Sequence, residues 1–269
     1  SLMYLTRGIP SVYYGDEVGM IGTGSGSDQL ARQDMFSTKV NIWKTEKRIG
    51  SSPIGTGNAF DITEKHPIAI HLKALANLRA ANPGLSNSTM QIRYAKDYLL
   101  AISKKDDVEN REYVVAFNNS NKAIKATINT ATSKGGWKLI MGKSSFKAAG
   151  EKVTITVPAL STVVLKANQK IDKTEVKVGK ISSKLDFLTG YYETKASVTT
   201  KDLAKVTFFS RTASDQPWSS MGTDTNFPYI VYVDPLEYEG KSVQIKAEVI
   251  NSKGARYELP STTIVIPAP

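Results

Sequence analysis

Two adjacent carboxylates, Asp16 and Glu17, stand near the end of segment 8–20, which reads GIPSVYYGDEVGM. Carboxyl groups at the end of a strand can act as general acids, general bases or nucleophiles when they face a common ligand. Consecutive residues leaving a strand point to opposite sides, so these two border a site rather than flank one bond. Arg32 and Asp34 follow in the run ARQDMF. An arginine there can donate several hydrogen bonds to a polar ligand, or close a local pair with a carboxylate that holds the loop. His66 and His71 lie five apart, whereas metal ligands on one helix face sit four apart, and His66 falls before the helix; no metal site is expected. The Gly-rich runs GTGSGSD and GSSPIGTG neither end in Gly-Lys-Ser/Thr nor lead straight into a helix, so phosphate binding is not expected.

The elements that must position Asp16 and Arg32 are a strand and a long loop. Residues 9–14 form a short apolar run with Val12, Tyr13 and Tyr14, types that favour a pleated, buried environment. The run is apolar at nearly every position, as in a strand covered on both faces of a parallel sheet. After an irregular stretch, Pro67 opens a helix, PIAIHLKALANLRAA, with Ile68, Leu72, Leu75 and Leu78 on one stripe and Pro83-Gly84 as its stop. Strand, loop and helix make one β/α unit, which needs neighbouring strands to form a sheet.

Beyond about residue 86 the signals are all strand. MQIRYA, YLLAIS, REYVVAF, KAIKATIN, WKLIM, KVTITV and STVVLKA are separated by turn clusters. Short alternating strands at this spacing predict an antiparallel sandwich. The polar stretch NQKIDKTEVKVGK marks a boundary, and residues 169–269 carry a second series: KASVTT, AKVTFFSRT, YIVYVDP, KSVQIKAEVIN and STTIVIP. Around a hundred residues with such strands suits an immunoglobulin-like sandwich without its disulfide. The fold class expected is therefore mainly β. An orphan β/α remnant (1–85) precedes two consecutive antiparallel sandwiches (86–168 and 169–269).

The chain has 269 residues, no cysteine and a formal net charge of +10. Disulfides and thiolate metal sites are excluded. The lysines are dispersed among acids, without the Lys/Arg block and interleaved aromatics of a nucleic-acid surface, and suit solvated strand faces and protected sheet edges. No apolar stretch approaches a membrane span, and no signal peptide is visible.

Four segments in order resemble the α-amylase family of glycoside hydrolases. LTRGIPSVYYGDEVGM resembles its eighth barrel strand, and ARQDMF the loop that follows. FDITEKHPIAIHLKALANLRAANPGL resembles its last barrel helix, and VPALSTVVLKA the closing strands of domain C. Residues 169–269 resemble, more loosely, the Ig-like module appended to some bacterial members. The resemblance implies a parent that hydrolyses α-1,4-glucosidic bonds with retention, secreted or periplasmic, acting on starch-like glucan. The family's catalytic Asp, Glu and Asp, and its calcium-binding domain, precede the eighth strand. No catalytic residue, metal ligand or cofactor is therefore expected in this chain, and it is expected to be inactive alone. Retaining hydrolysis also needs two carboxyl groups about 5–5.5 Å apart across the bond, which Asp16 and Glu17 cannot supply.

The same resemblance makes Asp16, Glu17, Arg32 and Asp34 candidates for a substrate-cleft rim in an intact barrel. Trp218 is the candidate for stacking on a sugar ring, with a core position as its other reading. Trp137, among strand signals, reads as core. The competing classes are a stand-alone carbohydrate-binding or interaction module of two sandwiches, and a purely structural one. Without a barrel, residues 3–40 are expected to pack on domain C, to pair with another copy through Ile9, Val12 and Tyr13, or to take a non-barrel conformation.

Overall fold

Among residues 1–22, 27–55, 57–86, 88–105 and 108–268, which the computed structural model describes, strands begin only at Thr89. The chain divides into two compact units, Ser1–Pro83 and Gly84–Pro269.

In the first unit the strand expected over 9–14 is absent. These residues join no ladder, Tyr14 already lies in a turn, and the described part of the unit holds a single isolated bridge, Arg48 to Ser51. A strand is defined by its partners, and an apolar run without them keeps its backbone open to water. Ile9 is accordingly 95% exposed, and Val12, Tyr13 and Tyr14 are exposed as well. The run ends where Gly15 takes φ +93°, turning the chain into a short 3-10 segment, Asp16–Val18. The helix appears as expected, over Pro67–Ala81, with Pro67 in its first turn. His66 caps it, its Nδ1 accepting from the Ile68 amide at 3.3 Å. Leu75 of the predicted stripe is fully buried, while Ile68, Leu72 and Leu78 are half-covered. A small core of Val18, Met35 and Ala59 completes the unit.

The second unit holds two sandwiches. The first comprises β1 (Thr89–Lys96), β2 (Leu99–Lys105), β3 (Arg111–Asn118), β4 (Ile124–Asn129), β5 (Trp137–Met141), β6 (Ser145–Ala149), β7 (Lys152–Val157) and β8 (Thr162–Lys170). One sheet has the order β1-β2-β3-β8-β5 and the other β4-β7-β6, all pairs antiparallel. Alternating residues of both sheets fill the space between them, among them Val114, Ala116, Ile128, Val153, Ile155 and Leu165. Gly142, after β5, sits at φ +83°, and a Cβ there would lie 2.4 Å from the Thr162 carbonyl oxygen. Gly142→Ala is expected to lower the stability of the unit by about 1–3 kcal/mol, read from its urea midpoint.

The second sandwich comprises β9 (Val176–Leu185), β10 (Tyr192–Thr200), β11 (Lys205–Arg211), β12 (Ser219–Asp224), β13 (Ile230–Val233), β14 (Ser242–Ile250) and β15 (Arg256–Val265). Its sheets run β13-β10-β9 and β12-β11-β14-β15. Phe208, Val243, Ile245, Ala247 and Val249 are fully buried in its core, as the alternation of β14 predicts.

The two sandwiches are joined by specific contacts. Ala131, Ile171 and Leu203 form a small apolar cluster at the junction. The outer edge of β1 is met by the second sandwich: Asn226 Oδ1 accepts from the Ile92 amide, and Thr225 Oγ1 donates to the Met90 carbonyl. Gln91 donates to the hydroxyl of Tyr229, whose pKa burial pushes up to about 12.

A buried polar hub lies beneath this junction. Glu112, on β3, is fully buried. Its Oε2 accepts from the amides of Ala131 and Thr132, both at 2.8 Å, and its Oε1 from the Ser103 hydroxyl at 2.5 Å. Arg93 donates to Ser103, lies 3.6 Å from Glu112 and reaches the Lys201 carbonyl of the second sandwich.

Candidate functional site

Asp16 and Arg32, separated by the Gly/Ser loop, line one pocket of about 160 Å³ in the first unit, together with Tyr13, Tyr14 and Gln33. Residues 23–26 of that loop lie outside the described residues. The 3-10 turn after Gly15 carries Asp16 to the pocket wall, and the short helix Asp28–Ala31 delivers Arg32 at its end.

Both carboxylates of the sequence motif are tied into their own turn. Asp16 Oδ2 accepts from the Tyr13 amide at 3.0 Å, and Glu17 Oε2 from the Gly15 amide at 2.8 Å. Glu17 does not line the pocket. Arg32 pairs with Asp28 at 2.6 Å, an exposed i,i+4 contact of the local kind anticipated from sequence. Exposed pairs of this sort contribute about 0–1 kcal/mol. Asp34 does not line the pocket but acts on it electrostatically. Burial and the neighbouring Tyr13 push the Tyr14 hydroxyl above its usual range, Arg32 draws it down and Asp34 pushes it up. The Tyr13 and Tyr14 rings lie 4.6 Å apart between centroids, inclined by 39°, and both are exposed.

Gln33 is the residue that sequence reasoning missed. It is 2% exposed, lines the pocket, and neither atom of its amide has a hydrogen-bond partner among the described residues. A buried unpaired amide costs on the order of 1–3 kcal/mol, which a ligand hydroxyl would relieve only where a shift of the pocket wall opened the amide, since both of its atoms are closed to solvent. Exposed aromatic faces, an arginine, a carboxylate and an unpaired amide together suit a polyhydroxylated, uncharged ring. They hold no facing pair of carboxylates and so supply no acid/base or nucleophilic couple of their own.

The other residues singled out in the sequence fall elsewhere. Trp137 is in the core of the first sandwich, as expected. Trp43, the remaining tryptophan, is buried and donates to the Leu30 carbonyl. Trp218 is half-buried outside the core of the second sandwich, with the Arg211 guanidinium carbon 4.4 Å and the Lys246 ammonium 5.4 Å from its ring centroid. The guanidinium competes for the surface a sugar would stack on. His71 Nε2 lies 3.0 Å from the Ser1 hydroxyl, and His66 serves as the helix cap. Among the described residues no group of three or more His, Asp or Glu side chains could hold a metal ion, and no helix is long and apolar enough to cross a membrane.

Residues 93–168 match the family described as alpha amylase, C-terminal all-beta domain. An alpha-amylase of Streptomyces lividans is 35% identical over 260 residues, covering 94% of this chain and 28% of that protein. A cyclomaltodextrin glucanotransferase of Klebsiella oxytoca is 26% identical over 60% of this chain and 22% of its own length. The chain thus spans less than a third of either relative. The solved structure of the alpha-amylase from H. orenii superposes with a TM-score of 0.45 at 22% identity, covering 61% of this chain and 33% of that one.

Proposed function

The chain belongs to the α-amylase family and carries its C-terminal all-beta domain at residues 93–168; from that premise we propose that it is the C-terminal part of a retaining, exported α-1,4-glucan hydrolase. In this reading residues 1–85 complete a catalytic barrel, residues 86–168 are domain C, and residues 169–269 are an Ig-like module. The catalytic carboxylates and the calcium site belong to the rest of the barrel. The observation that carries the reading is the pocket of Tyr13, Tyr14, Asp16, Arg32 and Gln33. It follows the motif that resembles the eighth barrel strand, and active sites of such barrels are built where the strands end. Its groups would hold hydroxyls of a bound glucan while chemistry proceeds on other carboxylates.

Two measurements test this. The chain given soluble starch is expected to release no reducing sugar above blank; turnover would overturn the assignment. In the enzyme bearing the whole barrel, Arg32→Ala and Gln33→Ala are each expected to raise KM by about 3- to 30-fold with a smaller change in kcat, the signature of lost uniform binding. An unchanged KM in both would remove these residues from the cleft.

The same reading accounts for Ile9, Val12 and Tyr13, whose apolar surface neighbouring strands would cover. Left uncovered, that surface promotes self-association. Light scattering across a concentration series is expected to show species heavier than one chain; a clean monomer throughout would count against it.

A further inference from the structure

We propose that the end of the second sandwich remote from the first carries an accessory α-glucan-binding surface formed by Phe187, Tyr232, Glu193 and Lys184. The ligand class rests on the glucan-hydrolase reading above; the site itself stands on its own geometry.

β10 spans the length of the sandwich. Its last residue, Thr200, adjoins Lys201, which accepts from Arg93 at the junction with the first sandwich. Its first residue, Tyr192, lies roughly 25 Å away at about 3.3 Å per residue. Around that far end the β9–β10 turn presents Phe187 at 87% exposure and Leu188 at 98%. The turn is tightly held. Asp186 Oδ1 accepts from the Leu188 amide and Oδ2 from the Thr189 hydroxyl, while the Gly190 amide donates to the Asp186 carbonyl at 2.7 Å. These bonds hold the Asp186 carboxyl below its usual range, so the carboxylate that pins the turn stays ionised at neutral pH. An uncovered aromatic ring on a fixed turn is a preformed contact rather than a loose end.

The register places the remaining groups. Tyr232 on β13 is opposite Glu193 on β10, which is opposite Lys184 on β9. Thr194, Ala196 and Val233 point inward, so this row of three lies on the outer face, where Tyr232 is 54% exposed. Side chains directly opposite have Cβ atoms about 4.5–5.5 Å apart, so the row is continuous. Lys184 and Glu193 also line an open cleft of about 350 Å³ with Asp186, Phe187 and Leu188. An aromatic ring thus stands at the turn and another along the row, with a hydrogen-bond acceptor and a donor between them.

That chemistry fits a neutral sugar chain. The C–H face of a pyranose lies against an aromatic ring, and its hydroxyls donate to Glu193 and accept from Lys184. The paired opposite charges favour an uncharged ligand over a polyanion or an anionic lipid surface. The cleft is open, so it can take the middle of a polymer as well as its end.

Native electrophoresis of the chain through gels containing amylopectin tests the site. Wild type is expected to be retarded, and the double variant Phe187→Ala/Tyr232→Ala to lose affinity by about tenfold or more, equivalent to about 1.4 kcal/mol. Lys125→Ala, an exposed change on β4 outside both sites, should migrate with wild type. Both replaced side chains are exposed, and an unchanged melting temperature verifies the fold. An unretarded wild type, or a double variant retarded as strongly as wild type, overturns the proposal. So does a double variant whose principal change by light scattering is loss of self-association, which would make the tip a contact between copies. None of these results alters the KM test of Arg32 and Gln33, so failure here and failure of the cleft reading are read separately.

Discussion

Glu112→Ala will destabilise the second unit by about 3–5 kcal/mol, because it removes one partner of a buried ionic network and leaves the others in place. The Ala131 and Thr132 amides lose their acceptor, and Arg93, only 9% exposed, loses its counter-charge. Equilibrium urea unfolding followed by far-UV circular dichroism gives the loss, and a change under about 1 kcal/mol would show that water or a rearranged Ser103 replaces the carboxylate. Glu112→Gln should cost less, since the amide oxygen still accepts from the chain. The two variants also differ from wild type in pH dependence. Burial pushes the Glu112 carboxyl above its ordinary range, against the pull of Arg93, Ser103 and Thr132. A raised folded pKa means that the folded state holds the proton more tightly. The group's contribution is complete below the unfolded carboxyl range, about pH 4.3, and declines as pH rises through the folded value. Both variants lose that declining component.

Phe208→Ala is the second large effect. Phe208 is fully buried at the centre of the second sandwich, and truncating a buried phenylalanine costs about 3–5 kcal/mol. Its instructive feature is how far the loss spreads. The junction links the sandwiches through Arg93, Gln91, Asn226 and the Ala131–Ile171–Leu203 cluster. In a background with Trp43 and Trp218 replaced by Phe, the midpoint read from Trp137 emission, in the first core, is therefore expected to fall with the midpoint read by circular dichroism. A Trp137 transition that stays at its wild-type position would show the two cores to be energetically independent.

How much of this was legible in the sequence depends on what each feature required. The strands of both cores were, because a half-buried strand writes its burial into alternate positions, as Val153, Ile155 and Val157 do. β6, β9 and β12 were not, and β6 is a mostly exposed edge strand. β9 is an edge strand, mostly exposed and carrying Lys177, Lys180 and Lys184, so it lacks the alternation that marks a core face and reads as a linker. The run 9–14 failed in the opposite way: its composition is that of a buried strand, but composition cannot supply partners, and the chain leaves it unpaired. At the candidate site, Asp16 and Arg32 were found from the family motif, and the pocket unites them. Gln33 carries no local signal. An amide is notable only when burial has removed its water and no neighbour has replaced it, and that is a property of three dimensions.

The side chains that meet β1 have a consequence for dissecting the protein. A sheet edge with open amides and carbonyls is a template for another chain, and natural edges are usually blocked. Here Asn226 and Thr225, supplied from more than a hundred residues downstream, act as the guard on that edge. A version ending at residue 168 would stop where the sequence suggests a clean break, yet it would bare β1 along its length. Such a truncation should be sticky in solution, and a Lys or Pro placed at Ile92 should restore its solubility. The composition boundary near 169 marks where one core ends, while the first sheet's protection against its own kind continues well beyond it.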